Sequence, residues 1–262
     1  MRLDAGCQLL FETDAAVPAI FMLRPSSNSE QQILAEDCSL QPNVPVHEYK
    51  DGYGNWCERL VVPSGSFQLT TQVQAETAAA IAVNFDANFV SIENLPDSTL
   101  QFLLPSRYCQ ADLLSDLATQ IVGDRPMGYA QVDAIQNWIY DNIKYQYGTS
   151  DSSTSALDTS KSRVGVCRDF AHFGIALCRS LNIPARMVAG YLYQLKPMDL
   201  HAWFEAFVGD RWYTFDATQK ETTGNRIAIA YGRDAADVAL VTHFGALTLT
   251  QMRVWVNETA SS

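Results

Sequence analysis

Short runs in which apolar residues alternate with polar ones, or cluster, fill the first hundred positions: CQLLFET, PAIFMLR, CERLVVP, FQLTTQVQAE and AAIAVNF. Such runs read as strands, and the turn clusters between them, Pro25-Ser26-Ser27-Asn28-Ser29 and Asp51-Gly52-Tyr53-Gly54-Asn55, are spaced as in antiparallel β structure. Near residue 105 the texture changes, bracketed by Pro96-Asp97 and Pro105-Ser106. Beyond it Leu113, Leu114, Leu117 and Ile121, then Val132, Ile135, Trp138, Ile139 and Ile143, recur at helical spacing. A third helical stripe, Phe170, Phe173, Gly174, Leu177, Cys178 and Leu181, stops at Asn182 and Pro184. The β-like runs ARMVAGYLY, HAWFEAFV, RWYTFDAT, RIAIAYG and LTLTQMRVWVNE follow. The pattern predicts an α+β chain: an all-β region over 1–105 and a mixed region over 106–262 whose central helix packs on an antiparallel sheet.

Composition narrows the function classes. At 262 residues and 47% hydrophobic content the chain can bury a real core. Its formal charge of −11 disfavours nucleic acid or an anionic membrane surface as partner, since both need clustered Lys and Arg. No apolar run reaches signal-peptide or membrane-spanning length, so the expectation is a cytoplasmic protein. The six cysteines, Cys7, Cys38, Cys57, Cys109, Cys167 and Cys178, form no C-x-x-C pair and no zinc-like spacing. Free thiols, no metal and no cofactor are expected; oligomeric state is not marked.

Candidate chemistry centres on Cys167 in GVCRDF, His201 in DLHAWFEAF and Asp216 in YTFDAT. A thiol, an imidazole and a carboxylate supply a nucleophile, its base and the group that orients the base. Projecting the third stripe back from Phe170 places Cys167 at a helix N-terminus, where unpaired amides and the helix dipole favour an anion. The backbone N–H of Cys167 is then a natural oxyanion donor, and Tyr145 and Tyr147, just upstream of the polar segment 148–155, are candidates for a second. If 208–211 forms an even hairpin turn, Phe207 pairs with Trp212, Trp203 with Asp216 and His201 with Thr218. His201 and Asp216 then become diagonal neighbours about 7–8 Å apart, and Trp203 shares their face and becomes a cleft candidate.

Taken singly, each residue has a plainer role: a buried thiol, a hydrogen-bonded strand histidine, a strand-end cap. Cys178, deep in the helical stripe, reads as packing. His172 lies about 140° round the helix from Cys167 and reads as an outer-face or packing residue. Asp169 suits the first helical turn. A metal site built from Cys167, His201 and Asp216 fits the predicted arrangement poorly, and a non-catalytic peptide-binding module would not need all three residues.

The segments RVGVCRDFAHFGIALCRSLNIPARMVAGY and HAWFEAFVGDRWYTFDAT resemble the core of the transglutaminase-like superfamily, a papain-related fold. GRDAADVALV is similar to its bacterial branch, and FETDAAVPAIFMLRP with DGYGNWCERLVVP resembles the β-rich N-terminal region found there. Asp216-Ala217-Thr218 stands where Asp-Pro-Thr is commoner. The resemblance implies a papain-like core with Cys167 as nucleophile, His201 as base and then acid, and Asp216 orienting the imidazole. It implies acyl transfer through a thioester from a peptide or protein substrate. With no acidic calcium loop or amine-binding groove visible in the sequence, hydrolysis by a cysteine peptidase or amidase is expected ahead of transfer to an amine.

Overall fold

The first half folds as six strands, β1 (Arg2–Thr13), β2 (Val17–Arg24), β3 (Gln31–Gln41), β4 (His47–Lys50), β5 (Trp56–Val62) and β6 (Gly65–Thr77). Next come α1 (Asp97–Leu100), α2 (Ser115–Val122), α3 (Tyr129–Asn142), β7 (Lys144–Tyr145), α4 (Ala156–Ser162), β8 (Val164–Gly165) and α5 (Cys167–Ser180). The chain closes with β9 (Ala185–Leu192), β10 (His201–Val208), β11 (Arg211–Phe215), β12 (Arg226–Gly232), β13 (Val241–His243) and β14 (Thr248–Glu258). This computed structural model describes residues 1–259.

Two four-stranded sheets, ordered β14-β1-β6-β3 and β13-β2-β5-β4, face each other. Strand alternation builds the layer between them: Leu3, Ala5, Cys7, Leu9 and Phe11 all point inward from β1. Phe11 and Phe67 meet Phe21 of the opposite sheet at ring-centroid distances of 5.8 and 6.4 Å. The final strand, β14, runs antiparallel along nearly the whole of β1, from Leu3↔Glu258 to Glu12↔Thr248, and β13 extends β2. The end of the chain thus supplies edge partners to strands at its start.

The third sheet, β11-β10-β9-β12, carries α5 on one face. Every residue of α5 from Asp169 to Arg179 is buried, so the helix is a central rod, more enclosed than its apolar stripe predicts. Gly174 allows this close seat: a Cβ there would stand 2.5 Å from the Phe204 ring. Buried Arg179 is satisfied by carbonyls, donating to Ala185 O at 2.8 Å and Arg233 O at 2.7 Å.

Several local expectations change. AAIAVNF forms no strand, while β3 and β4 form where no alternation marked them. Strand β3 is mostly exposed and held through its pairing with β6, so cross-strand hydrogen bonding, rather than burial, fixes it. The polar segment 148–155 is a loop, but α4 lies between it and α5, capped by Ser155, whose Oγ accepts from Asp158 N. Among the described residues no helix is long and apolar enough to cross a membrane, and all six cysteines are unpaired.

Candidate active site

Cys167 opens α5 directly after the extended N-cap Val166. The helix start is fastened by Asp169, whose Oδ2 accepts from Val166 N at 2.9 Å and whose Oδ1 accepts from Ser150 Oγ at 2.9 Å. Arg168 donates to the same Ser150 hydroxyl at 2.7 Å. These bonds tie the polar loop to the helix N-terminus. Cys167 remains partly exposed while the residues from Asp169 onward are buried, which leaves its thiol reachable at the end of an enclosed helix.

The hairpin joining β10 and β11 has the expected even turn, with Phe207↔Trp212 and Val208↔Arg211 paired. Its ladder stops at Phe204↔Phe215, so the predicted pairs Trp203–Asp216 and His201–Thr218 do not form. The chain instead turns at Asp216, and the carboxylate reaches His201 across the strand end: Nε2 to Oδ2 is 2.8 Å. The Cys167 thiol is near enough to the His201 side chain to favour its charged form. Residues from α5, β10 and the β11 exit are therefore brought together around the imidazole. Among the described residues no three His, Cys, Asp or Glu side chains make a metal-ligand set.

Asp216 is 1% exposed and fully engaged. Its Oδ1 accepts from Thr218 N at 3.1 Å and Thr218 Oγ1 at 2.6 Å. Burial works against its charge, but the Arg226 guanidinium and His201 outweigh it and hold the carboxyl well below the usual range. Burial likewise disfavours charged His201, yet Asp216 and the Cys167 thiol lift the imidazole from 6.5 to about 9.

These shifts couple the site to stability. A raised histidine contributes stability that is complete below pH 6.5 and disappears as pH rises through about 9. The depressed aspartate contributes stability present above pH 3.8 and lost as pH falls below it. Thermal melts across the alkaline range should therefore show a decline that is smaller in His201→Gln than in the native protein; parallel declines would contradict the linkage.

The other candidates separate. Tyr145 is carried to the site by a two-residue parallel bridge, Tyr145↔Gly165, reinforced by Gln146 N donating to Gly165 O at 2.9 Å. Its phenol lies close to Cys167, and burial followed by the nearby thiol pushes it far up. Tyr147 packs edge-on against Tyr145, centroids 5.4 Å apart, and stands one ring farther out. Trp203 stacks on His201 at 6.2 Å and lines a cavity of about 780 Å³ bordered also by Asn28, Gln31, Glu205 and Arg226. That cavity is not lined by Cys167, His201 or Asp216, so Trp203 backs the imidazole from the cavity side. His172 is a packing residue, stacked on Tyr108 at 5.0 Å and accepting from Ala235 N.

Sequence reasoning missed Arg226 and Gln136. Gln136 Oε1 accepts from Asp216 N at 2.9 Å, and Arg226 Nη1 lies 2.9 Å from Asp216 Oδ2. Both sit in elements that read as ordinary helix and strand, with no local motif to mark them.

Residues 115–217, which contain the Cys167, His201 and Asp216 positions, match the transglutaminase-like superfamily core. Residues 15–77 match the bacterial transglutaminase-like N-terminal region. A solved structure described as a "Putative Cysteine Protease" from Cytophaga hutchinsonii is 36% identical, covers 100% of this chain and 92% of its own, and superposes with a TM-score of 0.92. The chain belongs to the transglutaminase-like superfamily. This transglutaminase-like protein is also similar to the uncharacterized protein ML0607 of Mycobacterium leprae, 26% identical over 230 residues, 83% of this chain and 82% of that one. A partial likeness, 25% over 147 residues, links 48% of the chain to 18% of the uncharacterized protein YebA of Bacillus subtilis.

Proposed function

We propose that this transglutaminase-like protein is a thiol-dependent acyl-transfer enzyme that hydrolyses peptide, isopeptide or carboxamide bonds, with Cys167, His201 and Asp216 as its triad. The observation that carries the reading is the buried His201–Asp216 hydrogen bond of 2.8 Å with the Cys167 thiol beside the same imidazole.

In the proposed reaction His201 takes the Cys167 proton and the sulfur attacks the substrate carbonyl carbon. The resulting oxyanion accepts from the Cys167 N–H and from the Tyr145 hydroxyl, which lie together. His201 returns the proton to the departing amine or ammonia, leaving a thioester. Water, deprotonated by His201, then attacks that thioester; the tetrahedral intermediate collapses to release the acid, and the proton returns to sulfur. Asp216, locked by Thr218, keeps the ring oriented throughout.

Hydrolysis is favoured over transfer to an amine by the whole-chain likeness to the Cytophaga protein described as a protease. The test is incubation with a library of glutamine-containing peptides, with and without a fluorescent primary amine, read by mass spectrometry. Cleaved or deamidated products without amine adducts are expected. Amine adducts as the main product would assign transamidation, and no product in either arm would leave a peptide-binding module.

Asp216→Ala should retain more activity than His201→Ala, because it orients the base without carrying the proton. Rates of product formation by the two variants check this; the reverse order would contradict the assigned roles.

A further inference from the structure

Arg226 is a cation buried against the carboxylate of the proposed triad. Its side chain is 7% exposed, so the charge has lost most of its hydration and needs compensation within the protein. Two of the three guanidinium nitrogens make hydrogen bonds. Nε donates to Thr223 O at 2.8 Å, Nη2 donates to Gln219 Oε1 at 2.9 Å, and the plane lies over the Trp203 ring at 5.0 Å. That leaves Nη1 beside Asp216 Oδ2 at 2.9 Å, an ion-pair contact outside hydrogen-bond alignment, on the same oxygen that meets His201.

We propose that Arg226 is a positioning residue of the site: it clamps Asp216 Oδ2 beside His201, and its fixed charge sets the pH window in which Cys167 is reactive. The proposal rests on the reading of Cys167, His201 and Asp216 as a triad. A loop-closing arginine would need only Thr223 O and Gln219. The third contact aims the charge at the carboxylate, and the stacked indole joins Arg226 to the ring that backs His201.

The charged and titratable groups around the pair are few. Cys167 approaches from α5 with the Tyr145 phenol beside it from β7, Asp199 from the segment before β10, and Arg226 from the start of β12. The α3 neighbour Gln136 and the loop residues Thr218 and Thr222 are neutral. Arg226 is thus the fixed cation of the cluster. Removing it lets Asp216 protonate at higher pH, and a protonated Asp216 no longer favours the imidazolium that faces the thiol. This moves the acid limb of Cys167 reactivity upward.

The test is the rate of Cys167 alkylation by iodoacetamide, followed by peptide mass spectrometry from about pH 4 to 9, in the native protein, Arg226→Gln, Arg226→Lys, Arg211→Gln and His201→Ala. Arg226→Gln should raise the acid limb by on the order of one pH unit. Arg226→Lys, which keeps the charge, should stay near the native profile. Arg211→Gln should match it, because Arg211 borders the same cavity but pairs with Glu30. If Arg226→Gln does not fold, Gln219→Ala frees one anchor of the guanidinium and should shift the limb the same way by less. A native low-pH plateau with an unshifted Arg226→Gln profile, or an unshifted Gln219→Ala profile where that variant stands in, overturns the role of Arg226 alone. A native profile indistinguishable from His201→Ala overturns the triad as well.

Discussion

Cys167→Ala should abolish turnover while the protein keeps its fold. In the proposed reaction the Cys167 thiol forms the acyl-enzyme, so losing it should lower the rate by on the order of 10⁴ or more. The cost in stability is small by comparison. Cys167 is partly exposed at the first position of α5, and the helix is anchored by other residues, Phe170 and Phe173 in the core and Asp169 at the cap. Product formation and a thermal melt measured on the same preparation check both halves. Native-like turnover with a native melt would remove Cys167 from the chemistry.

Gly190→Val should strike the fold and the site together. Gly190 lies on β9 directly opposite His201. A Cβ there would stand 2.1 Å from the carbonyl oxygen of Ile227 and 2.9 Å from Trp203 Cη2. The first atom is backbone of β12 and cannot rotate away, so β12 must separate from β9 to admit a side chain. Overpacking of this kind should cost about 3 kcal/mol, which in a chain of this size lowers the melting temperature by about 10 °C. The displaced elements carry Arg226 and Trp203, so alkylation of Cys167 should also slow in whatever fraction remains folded. Unchanged melting and unchanged reactivity would show that the sheet accommodates the branch without moving the site.

How far the sequence could be read depended on whether local spacing carried the information. The placement of the three candidate residues was legible because each sits at an element edge: a thiol just before an apolar helical stripe, a histidine opening an aromatic strand, and an aspartate ending its hairpin partner. Even the hairpin register followed from loop parity, although the ladder ended before Asp216. Strand β3 was hidden because its partner in β6, rather than its own side chains, stabilises it. The return of β13 and β14 to the first sheets joins residues more than two hundred positions apart, and alternation specifies a strand without naming its neighbour. Arg226 was invisible for the same reason. Its importance lies in the aspartate it meets ten residues upstream across a turn, and an arginine at a strand start carries no mark of that contact.

The proposed triad is most directly tested by Cys167 alkylation near pH 6, well below an ordinary thiol's range of about 8.5, in the native protein and in His201→Ala. Buried Cys178, which burial pushes beyond the ordinary thiol range, and exposed Cys38, pushed up to about 12, serve as internal references. The account predicts fast, selective labelling of Cys167 in the native protein that collapses to the reference rates in His201→Ala. Slow labelling of native Cys167, unchanged by loss of the imidazole, would contradict it.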